Sequence, residues 1–151
     1  MIVLDQHWFG SKEGLFAEAV INVPFDLNEL VERLLDGNAD DLGRRMVRTF
    51  LTNCDTVGGG VFVALLRSVT SHEQAGHALH DFMIKHIVVR VLYSVEVDQP
   101  EFRATLVAAQ LAGLGVIRYV TEYEPLASAE IDKIVAAVAP TVQRYITGDI
   151  A

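Results

Sequence analysis

Histidine and acidic side chains gather between residues 72 and 81, the densest grouping in the chain that could do chemistry. His77 and His80 stand at i, i+3 and His77 and Asp81 at i, i+4, with His72 and Glu73 close by. On a helix, one face could then offer imidazole and carboxylate to a metal. A solvated polar face has the same composition, and the spacing is too common to outweigh it, so no metal site and no cofactor are expected. Cys54 is the single cysteine, which excludes a disulfide framework and a cysteine-only zinc site. It lacks a patterned histidine partner for nucleophilic catalysis and reads most simply as a small buried apolar residue. Gly58-Gly59-Gly60 runs into Val61-Phe62-Val63 rather than the Lys-Ser/Thr of a phosphate loop. With no Ser-His-Asp pattern and no paired carboxylates in an apolar run, an enzyme is not expected.

Binding is the remaining chemistry. Phe50, Cys54, Phe62, Leu66, Phe82, Met83, His86 and Gln110 place aromatic and mildly polar groups on apolar faces of the middle of the chain. A mostly apolar cavity with a few polar groups is the expected form of a small-molecule site, although each of these residues is also ordinary core material. Gln110 stands out, because an uncharged polar group inside an apolar helix must find some partner.

The elements that would position these residues are helices. Asp26-Leu27-Asn28-Glu29 is a capping box, followed by Leu27, Leu30, Val31, Leu34 and Leu35 in one stripe and stopped by Gly37. Ser71-His72-Glu73-Gln74 and Asp98-Gln99-Pro100-Glu101 repeat the box, and Ser128 is the expected cap of the last helix. That helix continues its stripe across Pro140 to Gly148, so the proline should kink it rather than end it. Ser11 caps an early helix that stops before Pro24, and 41–53 forms another, with Arg44, Arg45 and Arg48 on one face and Met46, Val47 and Phe50 on another. Between Ile87 and Val97 the valines alternate as in a strand. No second alternating run exists to pair with it, so a helix is the better reading. The expected class is all-α, about eight helices.

Composition supports one domain. The chain has 151 residues, 51% hydrophobic, with twelve basic and twenty acidic side chains and a net charge of −8. Such a balance excludes a free-standing nucleic-acid binder, since phosphate binding is driven by clustered Lys and Arg. No uninterrupted apolar run approaches a membrane span and no signal peptide is visible, so a cytoplasmic setting without membrane partners is expected.

Phe102 to Val120 carries only two charges, Arg103 and Arg118. One side offers Phe102, Leu106, Ala109, Gly113 and Ile117; another offers Val107, Leu111, Leu114 and Tyr119. A surface helix in a small monomer has one face to bury, not most of its circumference. It is either a central core helix or one that also meets a second subunit, and the second reading is preferred. The expected homodimer interface takes Leu111, Leu114, Arg118 and Tyr119 here, and Val138, Val142 and Tyr145 on the last helix.

Two stretches carry a family resemblance. His7-Trp8-Phe9-Gly10-Ser11-Lys12-Glu13-Gly14-Leu15-Phe16 resembles the junction of recognition helix and linking helix in TetR-family transcriptional regulators. The stretch 106–120, with Glu124-Pro125-Leu126-Ala127 and the stretch 138–148, is similar to the carboxy-terminal domain of actinobacterial members. The resemblance implies an effector-binding and dimerisation domain over 11–151, after a remnant of the recognition helix over 1–10. It implies a homodimer through a four-helix bundle, an unknown small apolar ligand among the middle helices, and DNA binding that responds to that ligand. Lys12 matches the family's backbone-contacting lysine, and His7 and Trp8 match positions that touch phosphate or sugar. The plainer roles, a solvated lysine and aromatic anchoring of the linking helix, are favoured here. Helices that precede the recognition helix in the family have no counterpart, so operator DNA is a partner only where those helices are present. The alternative is a stand-alone helical module that forms heterodimers with full-length paralogues.

Overall fold

The computed structural model describes residues 26–56, 81 and 84–151. Among them it has five α-helices and no strand: α1 (Leu27–Leu35), α2 (Leu42–Thr56), α3 (Val89–Ser94), α4 (Pro100–Gly115) and α5 (Ile131–Thr147). The count is five rather than about eight; the helices expected from Ser11 and Ser71, and the Gly58-Gly59-Gly60 run, lie outside the described residues.

Local chemistry explains where α1 starts and stops. The Asp26 carboxylate accepts from the Asn28 N–H at 2.9 Å, satisfying a first-turn donor. At the other end Gly37 takes φ +131°, a region side chains rarely adopt, and a Cβ there would lie 2.9 Å from Arg45 Nη1. Arg45 also ties α1 to α2, donating to Leu34 O at 2.8 Å and to Asn38 O at 2.9 Å.

The principal seam joins α2 to α5. Leu42, Met46, Val47, Leu51 and Cys54 turn inward from α2, and Ile134, Val135, Ala139, Val142 and Ile146 from α5. At Gly43 the two backbones touch: a Cβ would come within 2.7 Å of Gln143 N and 2.9 Å of Ala139 O. Gln143 fastens the same point, accepting from the Gly43 N–H at 2.6 Å and donating to Ala39 O at 2.9 Å. The α5 helix runs unbroken across Pro140.

The valine-rich stretch is helical as far as Ser94. A π turn over Ile84–Val88 leads into α3, and Val88, Val91 and Leu92 are buried while Val95 packs beside them. Their i, i+3, i+4, i+7 spacing fits a helix as well as the alternation fits a strand, and the surrounding helices decide between the two.

Two expected caps are corrected. Gln99, not Asp98, holds the cap position of α4, with φ 47° and no side-chain capping bond. Asp98 instead accepts from Arg103 Nη2 at 2.8 Å, a charge-assisted bond that outcompetes a backbone amide. Ser128 lies in a 3-10 turn, its N–H and hydroxyl both donating to Glu124 Oε1 at 2.8 Å, and α5 begins after Glu130.

Candidate functional site

Successive α4 side chains turn by about 100°, so its apolar residues divide into two sides. Ala104, Val107, Ala108 and Leu114 are buried, and Leu111 packs partly against the same core. On the opposite side, Phe102 is 55% exposed and Ile117, in the turn that continues α4, 40% exposed. Between α4 and α5 runs an open groove of about 470 Å³, lined by Leu106, Ala109, Gln110, Gly113, Leu114, Ile117, Leu126, Val138 and Tyr145. No Lys, Arg, Asp or Glu lines it. Among the described residues a Cβ at Gly113 would meet nothing within 4 Å, so their packing does not call for a glycine there.

This placement rearranges the expected interface residues. Val138 and Tyr145 line the groove and Leu114 edges it, but Val142 is fully enclosed at 0% exposure. Leu111 leans on the core, and Arg118 and Tyr119 are engaged within the chain. The outward side is the one bearing Leu106, Ala109, Gly113 and Ile117. Gln110, expected among the ligand residues, lines this groove with Val138 and Tyr145.

The α4 helix ends in a π turn, Val116–Val120, and its two polar side chains reach back to α2. Arg118 Nη1 donates to Leu126 O at 2.9 Å and Ala129 O at 2.8 Å, its Nε to Tyr119 Oη at 3.2 Å, and its Nη2 to Asp55 Oδ2 at 3.4 Å. The Tyr119 hydroxyl donates to Asp55 Oδ1 and also lies 3.3 Å from Leu51 O. Burial, then the bond to Asp55, pushes the Tyr119 phenol well above its ordinary range. Burial works against the Arg118 charge, but Tyr119 and Asp55 outweigh it and hold the guanidinium above its usual value. Next to them the Cys54 thiol is pushed up to about 12, first by burial and then by the Asp55 charge, so it is inert as a nucleophile near neutrality. Sequence reasoning missed Asp55, which lies 63 residues from Arg118 with no local signal joining them.

At the other end of α4, Arg103 is 4% exposed and donates to Asp98 O at 2.8 Å and Tyr145 O at 2.9 Å. It satisfies a carbonyl in the last turn of α5 and holds the two groove helices together.

Of the expected ligand residues, Cys54 is buried, Phe50 is half-buried against the core, and His86 is exposed rather than enclosed. Phe62, Leu66, Phe82 and Met83 lie outside the described residues, as do His7, Trp8 and Lys12. So do His72, Glu73, His77 and His80; Asp81 pairs with Lys85 at 3.1 Å. Among the described residues no group of three metal-ligating side chains converges, and no helix is long and apolar enough to cross a membrane.

The tetracyclin repressor-like, C-terminal domain family model matches residues 40–146. A TetR-family regulator from Streptomyces coelicolor A3 has a similar crystal structure, with a TM-score of 0.67 and 30% sequence identity over 95% of this chain and 75% of that one. No curated protein matches. The matched stretch takes in α2, α3, α4 and α5, and so the groove and the polar assembly beneath it, which makes this chain a member of the TetR family of transcriptional regulators, carrying that family's C-terminal domain.

Proposed function

We propose that this chain is the ligand-sensing and dimerising portion of a TetR-type transcriptional regulator, acting in the cytoplasm, in which a small apolar molecule alters DNA binding by a form that carries the DNA-reading helices. The observation that carries this reading is the uncharged groove along α4 and α5. A chain of net charge −8 repels its own copy over most of its surface, and the groove offers a face where that repulsion is least. Apart from Gln110 and the Tyr145 hydroxyl its residues are apolar or small, the composition that lets two helices from each copy pack closely. Homodimerisation through this face uses Ile117, Gly113, Val138 and Tyr145 rather than Val142 or Arg118. The ligand end draws on Phe50 and Cys54 of α2, together with Phe62, Leu66, Phe82 and Met83.

Sedimentation equilibrium tests the dimer. The wild-type chain should run at twice 16.6 kDa at micromolar concentration, and Ile117→Glu, which places a charge in the groove, should run as a folded monomer. A wild-type monomer at every concentration overturns the reading. A thermal-shift screen of small apolar molecules tests ligand sensing; hits should lose their effect in Phe50→Ala and keep it in Ile117→Glu.

A further inference from the structure

Near the carboxyl end of α2 a polar assembly of Asp55, Arg118 and Tyr119 joins α2 to the turn after α4, with the Asp55 side chain 31% exposed. Asp55 stands in the last turn of α2, where unsatisfied carbonyls disfavour a negative charge. Its compensation comes from the π turn that ends α4: the Arg118 side chain, 9% exposed, supplies the cation and Tyr119 a hydroxyl. Arg118 does more than neutralise it. Through Nη1 the same guanidinium grips Leu126 O and Ala129 O, while its backbone follows Ile117. Leu126 and Ile117 both line the outward groove. One side chain thus links a carboxylate on α2 to two pieces of the groove wall.

We propose that Asp55 is a positioning residue for the groove: through Arg118 it sets where Leu126 and Ile117 stand, so that displacement of the carboxyl end of α2 is passed to the dimer face. The proposal rests on the dimer reading above and adds to it a route by which the inner helices regulate that face. A guanidinium this enclosed is costly without its counter-charge. With Asp55 withdrawn or neutralised, Arg118 turns toward water, and the 121–129 segment it holds by two carbonyls follows. The groove then loses the fixed wall against which a second copy packs. Linkage makes the effect reciprocal: closing the dimer over Leu126 and Ile117 favours the state in which Asp55 is engaged.

The test is Asp55→Asn, which keeps shape and removes charge, in two measurements. Its dimer dissociation constant should rise roughly tenfold, within the usual range for coupled sites. Arg48→Gln, which breaks the exposed Arg48–Asp132 pair across α2 and α5 without touching the groove, should leave that constant unchanged. Amide exchange should quicken in residues 121–129 of Asp55→Asn while α5 amides keep their protection, a pattern that general loss of stability would not give. Unchanged exchange in 121–129 overturns the proposal whatever the oligomeric state. A wild-type dimer with unchanged affinity in Asp55→Asn overturns it while leaving dimerisation intact. A wild-type monomer fails the dimer reading and, with it, the dimer-face role proposed for Asp55; the exchange measurement then reports only whether Asp55 orders 121–129.

Discussion

Two helical glycines, Gly43 in the first turn of α2 and Gly113 in the last turn of α4, should answer the same substitution with opposite signs. At Gly43 an alanine Cβ would lie 2.7 Å from Gln143 N and 2.9 Å from Ala139 O, both backbone atoms that cannot swing aside. Relief requires α2 and α5 to part along the main seam of the bundle. Overpacking of this kind costs about 1–3 kcal/mol. Parting the helices also stretches the 2.6 Å bond from the Gly43 N–H to Gln143, worth about 1 kcal/mol. Alanine returns about 0.5–1 kcal/mol through the restricted unfolded chain, and less in a first turn. The net expectation for Gly43→Ala is a loss of about 2 kcal/mol, or roughly 4–8 °C in Tm for a domain of this size. At Gly113 a Cβ meets nothing within 4 Å among the described residues, so the gain of about 0.5–1 kcal/mol applies to the single chain. In a dimer that packs closely at this point, the added methyl instead meets the partner. Urea denaturation at several protein concentrations, with sedimentation alongside, separates the two terms. Gly113→Ala should raise the midpoint where the chain is monomeric and weaken the dimer. An unchanged midpoint for Gly43→Ala would refute the close approach of α2 and α5. A Gly113→Ala gain that is the same at every concentration, with unaltered dimer affinity, would refute close coverage of the groove.

Arg103→Met keeps part of the stem's packing and deletes the bonds to Asp98 O and Tyr145 O. At about 1.5 kcal/mol for each charged donor bond, the low end of their range, the urea midpoint should fall by the equivalent of about 3 kcal/mol, and a change below about 0.5 would show that water replaces the guanidinium. The Arg103 hydrogen bond also holds the Asp98 carboxyl below its ordinary range. That contribution is present above the unfolded carboxylate pKa and is lost as pH falls through the lower folded value, so the wild-type advantage over Arg103→Met should narrow in acid. Cys54, with its thiol pushed up to about 12, should resist a thiol-directed reagent at neutral pH and react at once in denaturant; equal rates would place the thiol at the surface. Tyr119 has a raised phenol pKa, so its contribution is present below the unfolded value of about 10 and is lost as pH rises toward the folded one. Tyr119→Phe should be less stable than wild type at neutral pH yet lose less stability in alkali, and parallel pH profiles would contradict this.

Elements governed by near neighbours were legible in the sequence. Asp26 caps α1 because the amide it satisfies is two residues away, and Gly37 ends it because the required φ is a property of that residue alone. The two misread caps failed for a shared reason. Asp98 and Ser128 each have a partner more demanding than a helix amide, Arg103 in one case and Glu124 in the other, and neither competition shows in a capping pattern. The valine stretch carried both periods at once. Only Val91 and Leu92, enclosed together at 0% exposure, show which one the tertiary packing selects.

The sidedness of α4 was illegible because its polarity runs opposite to the usual rule. A reader of sequence turns charges outward and leucines inward. Here both arginines of the helix point into the chain, since Arg103 must satisfy Tyr145 O at the end of α5 and Arg118 the carbonyls of Leu126 and Ala129. With the cations committed inside, the outward side is left to Phe102, Leu106, Ala109, Gly113 and Ile117. The composition of this helix put apolar residues around most of its circumference, more than its buried side takes up. Which surface was in excess depended on carbonyls contributed by the chain 8 to 42 residues away. In the proposed dimer, a helix that turns its arginines inward and leaves Gly113 exposed meets a neighbour that approaches the backbone closely and brings no charge of its own. An uncharged groove on a second copy of the same chain meets both conditions.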